Sequence, residues 1–320
     1  MSRLSWIRIV PIAVLLTACY GSEPVGYDFA KEEGEGELGV WVHSGLYTRL
    51  YDLHTPPKMG DGQLHPLLIF LHGAGDTGPS FRQRLRAEAL TDEAGFITVW
   101  PSGLEGTWTV GCGFTCTFAE ALEAEDDVFL ETLVRHLAEE LPVDTTRVYI
   151  LGFSQGGQLA QLYACRSQLA PAGIGVVAAE IYRALSQDCA PNGRFPVGIL
   201  HGDADPVAWW VGFGPDAPVL SVPATVETWT NLFGCAGEPT SEFRPDTAGD
   251  YTSATIFRFP GCAEGSSVVL YRIHEGGHNW PGQTGPWPVT MGLRSRNLDA
   301  TEEFLSLFAS VAGGAPAGER

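Results

Sequence analysis

Basic side chains are scarce in this sequence. Its 320 residues carry 19 Lys and Arg against 38 Asp and Glu, a formal net charge of −19. Such a surface repels nucleic-acid phosphates and anionic lipid, which argues against DNA or RNA binding and against docking through a basic patch. Long apolar runs are also missing: nothing after residue 20 approaches the roughly 20 residues that span a bilayer. No paired CxxC is present, so the common zinc frameworks are excluded. There is no internal repeat, and no Pro/Ser-rich linker follows residue 38. Aromatic side chains, in contrast, are plentiful, with 9 Trp, 9 Tyr and 16 Phe. That supply of apolar area excludes a disordered chain and suits one large α/β domain.

Residues 1–18 read as an export signal. Arg3 and Arg8 give a positive start, an apolar stretch runs from Ile9 to Leu16, and Leu16-Thr17-Ala18-Cys19 closes it. Small residues before a cleavage point mark a secretory signal. Leu-Thr-Ala-Cys also resembles the bacterial lipobox, so Cys19 is expected to be the lipidated first residue of an envelope lipoprotein, either periplasmic or at the cell surface. The lipid would then be its membrane contact. Residues 19–38, rich in Glu and Gly, are expected to form an extended acidic tether, and residues 39–320 a single domain. Gly34, Gly36 and Gly39 formally match GxGxxG. No strand precedes them and interleaved glutamates would repel a pyrophosphate, so no dinucleotide site is expected.

The other six cysteines, Cys112, Cys116, Cys165, Cys189, Cys235 and Cys262, suit an oxidising compartment. Sequence proximity suggests Cys112–Cys116, Cys165–Cys189 and Cys235–Cys262, although six cysteines allow about fifteen connectivities. Free buried thiols are the alternative.

Strands alternate with helices along the chain. Pro66–Leu71 is a continuous apolar run ending at His72-Gly73, the pattern of a buried central strand. Phe81–Leu90 is expected as a helix and Phe96–Trp100 as a strand. Asp126-Asp127 opens a helix through Leu141, with its acids placed to favour the positive end of the helix dipole. Strands are further expected at Arg147–Gly152, Val176–Ile181, Pro196–Leu200 and Val268–Ile273. Helices are expected at Gln155–Cys165, Pro223–Phe233 and Asp299–Val311. This alternation implies an α/β fold with a mostly parallel sheet covered on both faces.

Three strand-end motifs carry chemistry. Gly152-Phe153-Ser154-Gln155-Gly156 is a GxSxG between an expected strand and an expected helix, the setting that makes the serine a nucleophile. His201-Gly202-Asp203-Ala204-Asp205 follows another strand and offers two candidate acids, Asp203 and Asp205. Gly276-Gly277-His278 follows a third and offers a general base. The order Ser154, Asp, His278 is that of an α/β-hydrolase. His72-Gly73-Ala74-Gly75 outlines an oxyanion hole, with the backbone N–H groups of Ala74 and Gln155 as donors. Losing such a donor typically costs about 3–4 kcal/mol of transition-state stabilisation. His274-Glu275-Gly276-Gly277-His278 formally matches HExxH, but two glycines and a preceding strand oppose the helix that motif requires, so no metal is expected. His72 and His201 are expected to brace strand ends.

Together these motifs resemble the exported α/β-hydrolase family of polyhydroxybutyrate depolymerases and feruloyl or acetylxylan esterases (carbohydrate esterase family one). The resemblance covers roughly residues 40–312. It rests on Leu71-His72-Gly73, Trp100-Pro101-Ser102-Gly103 with Thr107-Trp108, Asp126-Asp127, Gly152-Phe153-Ser154, His201-Gly202 with Asp205, and Gly276-Gly277-His278-Asn279-Trp280-Pro281-Gly282. It implies the α/β-hydrolase fold and Asp205 rather than Asp203 as the acid. It also supports the Cys165–Cys189 and Cys235–Cys262 pairings. Leu71–Gly78 and Gly152–Gly157 are also similar to acyl-protein thioesterases and small carboxylesterases. Where the family often continues with Val-Pro after the acid, this chain has Ala208-Trp209-Trp210.

The expected function is hydrolysis of a carboxylic ester through Ser154, Asp205 and His278, with no cofactor. Polyester, feruloylated or acetylated polysaccharide and small acyl esters are the candidate substrates, with Trp209, Trp210 and Trp280 as candidate substrate contacts. The alternatives are a non-catalytic binding module on the same fold and a serine peptidase.

Overall fold

Along Leu67–Leu71 five consecutive side chains are fully buried. Leu67, Ile69 and Leu71 enter one hydrophobic cluster while Leu68 and Phe70 enter another. That is the period-2 signature of a strand with apolar cover on both faces. Around this strand the computed structural model describes residues 40–312, apart from 45–46, 61, 112–116, 118 and 120–123. The expected signal, Cys19, the tether and the Cys112–Cys116 pair lie outside the described residues.

The strands are β1 (Val40–Ser44), β2 (Tyr47–His54), β3 (His65–Leu71), β4 (Ile97–Pro101) and β5 (Val143–Phe153). They continue with β6 (Gly173–Val177), β7 (Pro196–Gly202), β8 (Thr240–Arg244), β9 (Ser253–Phe259) and β10 (Ser267–His274). All ten join one sheet in the order β1-β2-β4-β3-β5-β6-β7-β10-β9-β8. The central six strands, from β4 to β10, pair in parallel, and antiparallel strands extend both edges. The fold is that of an α/β-hydrolase.

Helices α3 (Asp126–Glu140), α4 (Gln155–Arg166) and α6 (Val222–Leu232) bury Phe129, Leu159 and Trp229 against one face. On the other face α1 (Gly78–Leu85) and α7 (Ala300–Ala312) contribute Phe81, Phe304 and Phe308. Two short helices, α2 (Glu88–Glu93) and α5 (Arg183–Asp188), lie in connections. Disulfides join Cys165 to Cys189 and Cys235 to Cys262.

Three expectations need correction. The helix expected over Phe81–Leu90 is two helices, because Arg86 takes a left-handed conformation (φ 51°) that ends α1. The strand expected over Val176–Ile181 begins earlier and stops at Val177, since Ala178 turns the chain at φ 53°. The edge strands β1, β2, β8 and β9 were not expected. β8 has four exposed residues out of five, so it lacks the apolar run that signals a strand.

Candidate active site

β5 delivers Ser154 to the upper edge of the sheet. Ser154 sits between the strand and α4 with φ 52° and ψ −121°. A non-glycine residue with positive φ is strained, and the surroundings must enforce it. Here they do so by close approach. A Cβ at Gly152 would fall 2.2 Å from Gly156 O, and one at Gly156 would fall 2.3 Å from Leu71 O. The two glycines of the GxSxG therefore let α4 press against β5 and β3. The Ser154 N–H donates to Val177 O at 2.8 Å, which ties the turn to β6.

His278 follows β10 in a loop, not a helix, so the HExxH reading fails on geometry. The loop is clamped by a later segment: the His278 N–H donates to Met291 O (2.7 Å) and the Gly277 N–H to Leu293 O (2.8 Å). The His278 Nε2 lies 3.0 Å from Ser154 Oγ, and its Nδ1 lies 2.8 Å from Asp205 Oδ2. The Nδ1–H then donates to the carboxylate, leaving Nε2 free to accept from the serine hydroxyl. The other Asp205 oxygen accepts the N–H groups of Val207 and Ala208, each at 2.8 Å. Asp203 points elsewhere. It accepts from Arg272 Nε (2.8 Å) and Glu275 N–H (2.7 Å) and meets His274 Nδ1 at 3.1 Å.

His201 is fully buried, and its Nε2–H donates to Ala208 O at 2.8 Å. Burial lowers its pKa, so it braces the acid loop as a neutral ring. His72 works similarly. Its Nδ1–H donates to Gly73 O (2.8 Å) and its Nε2 accepts from Gly103 N–H (2.9 Å). Desolvation pulls its pKa down to about 4.

Of the two expected oxyanion donors, Gln155 directly follows the serine, and Ala74 follows Gly73, where an added Cβ would fall 3.3 Å from the Ser154 Cβ. Gln155 is the first residue of α4, so no helical carbonyl takes its N–H. The Ala74 N–H has no carbonyl partner among the described residues. Sequence reasoning missed what holds them. The Gln155 side chain grips the Trp108 backbone at both ends: Oε1 accepts its N–H (3.1 Å) and Nε2 donates to its C=O (2.9 Å). The Trp108 indole N–H donates to His72 O at 2.9 Å. Trp108 thus pins the loop after His72, which carries Ala74, to Gln155. Asp126 opens α3, as the sequence indicates, and is also fully buried. It pairs with Arg49 and accepts the Thr109 N–H at 2.6 Å.

The three tryptophans separate. Trp280 is a correction: it is 1% exposed and packs against Phe70, Phe81 and Phe304, so it fills the core rather than meeting a ligand. Trp210 is half-buried, with the Arg272 guanidinium 4.9 Å from its ring centroid. Trp209 is 49% exposed and stacks on Phe213 at 4.8 Å. A residue not singled out by sequence, Trp287, donates its indole N–H to His278 O at 2.8 Å.

A hydroxyl, an imidazole and a carboxylate linked in this order can activate a nucleophile. Comparison with known proteins places the chain among esterases. Residues 58–210 match the Phospholipase/Carboxylesterase family model. The chain is 30% identical over 277 residues to the "Putative esterase NocK" of Nocardia uniformis subsp. tsuyamanensis, covering 81% of this chain and 79% of that protein. It is 28% identical to Feruloyl esterase B of Piromyces equi over 67% of this chain, but spans only 39% of that protein's length. Among solved structures, the acetyl xylan esterase from Aspergillus awamori superposes with a TM-score of 0.51 at 15% identity. The match covers 72% of this chain and 89% of that one, a likeness of fold.

Proposed function

The chain belongs to an esterase family of the α/β-hydrolase fold and is a carboxylic-ester hydrolase, and from that premise we propose that Ser154, His278 and Asp205 carry its reaction. The observation that supports this reading most is the unbroken relay from Ser154 Oγ through His278 to Asp205, at 3.0 and 2.8 Å.

Ser154 Oγ attacks the ester carbonyl while His278 Nε2 takes its proton. Asp205 holds the ring in the tautomer that accepts at Nε2 and steadies the imidazolium. The Ala74 and Gln155 N–H groups receive the oxyanion. As the tetrahedral intermediate collapses, His278 protonates the departing alcohol and an acyl-Ser154 remains. Water, deprotonated by His278, then attacks the acyl carbon, and as the bond to Ser154 Oγ breaks His278 returns the proton to that oxygen and the acid leaves.

We infer that the ester joins an acetyl or feruloyl group to a polysaccharide; the acetylxylan and feruloyl esterases among its relatives support this class. The exposed Trp209 beside the acid loop is the candidate substrate contact. We infer that the enzyme is exported, which the two disulfides support; removal of residues 1–18 and a lipid anchor on Cys19 are part of this proposal and rest on the Leu16-Thr17-Ala18-Cys19 motif alone.

A substrate panel tests the reading. Wild type and Ser154→Ala are assayed side by side on p-nitrophenyl acetate and octanoate, methyl ferulate, acetylated xylan and 3-hydroxybutyrate oligomers. Serine-dependent turnover, fastest on methyl ferulate or acetylated xylan, is expected. Preference for hydroxybutyrate oligomers would replace the substrate class. Equal turnover by Ser154→Ala would remove Ser154 from the mechanism.

A further inference from the structure

The stretch Leu71–Gly78 carries an acid, Asp76, that the steps above leave unused. It stands two residues after Ala74. Arg84, in the last turn of α1, grips it with both terminal nitrogens: Nη1 donates to Oδ1 at 3.3 Å and Nη2 donates to Oδ2. The two side chains are only 20% and 13% exposed. A forked, partly desolvated pair is stronger and more directional than one on open surface.

The same guanidinium meets the segment that holds His278. Its central carbon lies 5.4 Å from the Trp287 ring centroid and 5.7 Å from that of Phe81. A Cβ at Gly285 would fall 3.0 Å from Arg84 Cγ and 3.3 Å from its Cα, so the chain just before Trp287 rests on α1 at this residue. Arg84 Nε is buried with no hydrogen-bond partner among the described residues. An unpaired buried donor is costly, so the other contacts of this side chain must outweigh that loss.

From Trp287 the contacts run to the general base. The indole N–H donates to His278 O (2.8 Å), and Met291 O accepts the His278 N–H (2.7 Å). Both backbone polar groups of His278 are held by one short segment. The Trp287 ring also meets Phe153 edge-on at 5.6 Å, and Phe153 lies 5.0 Å from the His278 ring. A Cβ at Gly73 would fall 2.9 Å from Phe153 Cδ1. Phe153 packs between the base and the Gly73 turn, and Arg84 joins the same two segments a second time.

We propose that Arg84 is a positioning residue: its guanidinium ties the Ala74 loop to the segment that holds His278, and so fixes the distance between oxyanion donor and general base. It touches no reacting atom. Misplacing a reacting group by about 1 Å can cost about 10²-fold in rate. The inference rests on the triad and oxyanion reading above.

Kinetics on p-nitrophenyl acetate test this role, with kcat, KM and thermal midpoint measured for each variant and Ser154→Ala as the baseline. Acylation and deacylation use the same donors and the same base, so kcat reads the geometry whichever step limits it. Arg84→Met and Asp76→Ala should each lower kcat about tenfold or more at a temperature well below their midpoints, with KM within about threefold. Arg84→Lys keeps the charge without the fork or the flat face, and should recover only part of the loss. Trp287→Phe removes the N–H from His278 O, so the Asp76→Ala/Trp287→Phe double variant breaks one linkage twice. Its loss should be smaller than the product of the two single losses. Arg84→Met with wild-type kcat and only a lower midpoint would make Arg84 a stabilising residue and overturn the proposal. Single losses that multiply in the double variant would overturn it too. These variants keep Arg84, so they decide the matter even where Arg84→Met fails to fold. If Ser154→Ala matched wild type, the triad reading itself would fail and the inference with it.

Discussion

Asp203 and Asp205 stand two residues apart after β7, and their partners divide their roles. Asp205 is buried and meets the His278 ring at 2.8 Å, while Asp203 binds Arg272 and the backbone of Glu275. Replacing Asp205 with Asn should lower kcat by roughly 10⁴-fold, since an amide cannot hold the ring in the required tautomer. Asp203→Asn should stay within about threefold, because a partly exposed ion pair contributes about 1 kcal/mol or less. Steady-state kinetics on p-nitrophenyl acetate checks both, and the reverse order would move the acid to Asp203. Glu180, which is 2% exposed, adds a pH dependence of stability. Its carboxyl titrates near 4.5 unfolded, and burial pushes it up to about 8 in the folded chain. Between these values the folded chain keeps a proton that the unfolded chain has released, so stability falls as pH rises. Relative to Glu180→Gln, wild type should lose up to about 1.4 kcal/mol per pH unit across this window and nothing further above it. Urea unfolding at pH 5, 7 and 9 measures the difference; parallel stability curves would contradict the assignment.

At the scale of elements, the site depends on how closely α4 approaches β3 and β5. An alanine at Gly156 would drive its Cβ into the backbone oxygens of Leu71 and His72, at 2.3 and 2.5 Å. Backbone cannot swing aside as a flexible side chain does, so Gly156→Ala should destabilise by about 3 kcal/mol or more. Activity should fall with it, as read from urea midpoints and kcat. An unchanged midpoint would show that the elbow tolerates side chains. The main elements of this site were legible because their signals are local. A five-residue apolar run marks β3, and a glycine-flanked serine marks the elbow. The residues that escaped reading act through tertiary contact. Trp108 was visible as part of a motif, but its grip on Gln155 and His72 joins positions 36 and 47 residues apart. Trp280 sits within the Gly-Gly-His-containing motif, yet its ring turns into the core, an orientation that chain position does not reveal.

For the whole molecule, the disulfides tie connecting segments to the scaffold. The Cys165–Cys189 bridge links the end of α4 to the end of α5 across 24 residues. Closing a loop of that size in the unfolded chain is worth about 3 kcal/mol. Reduction should therefore lower the melting temperature by several degrees while leaving the 25 °C kcat of the still-folded enzyme nearly unchanged. A loss of activity without loss of fold would tie a bridge to the site instead.

On the proposed mechanism Ser154 takes up the acyl chain, and covalent labelling reads that residue itself. The purified enzyme is treated with a fluorophosphonate, digested and mapped by mass spectrometry, with residual esterase activity followed in the same samples. One adduct per chain is expected, on Ser154, rising in step with the loss of activity. Inactivation with Ser154 unmodified, or full modification of Ser154 with activity intact, would contradict it.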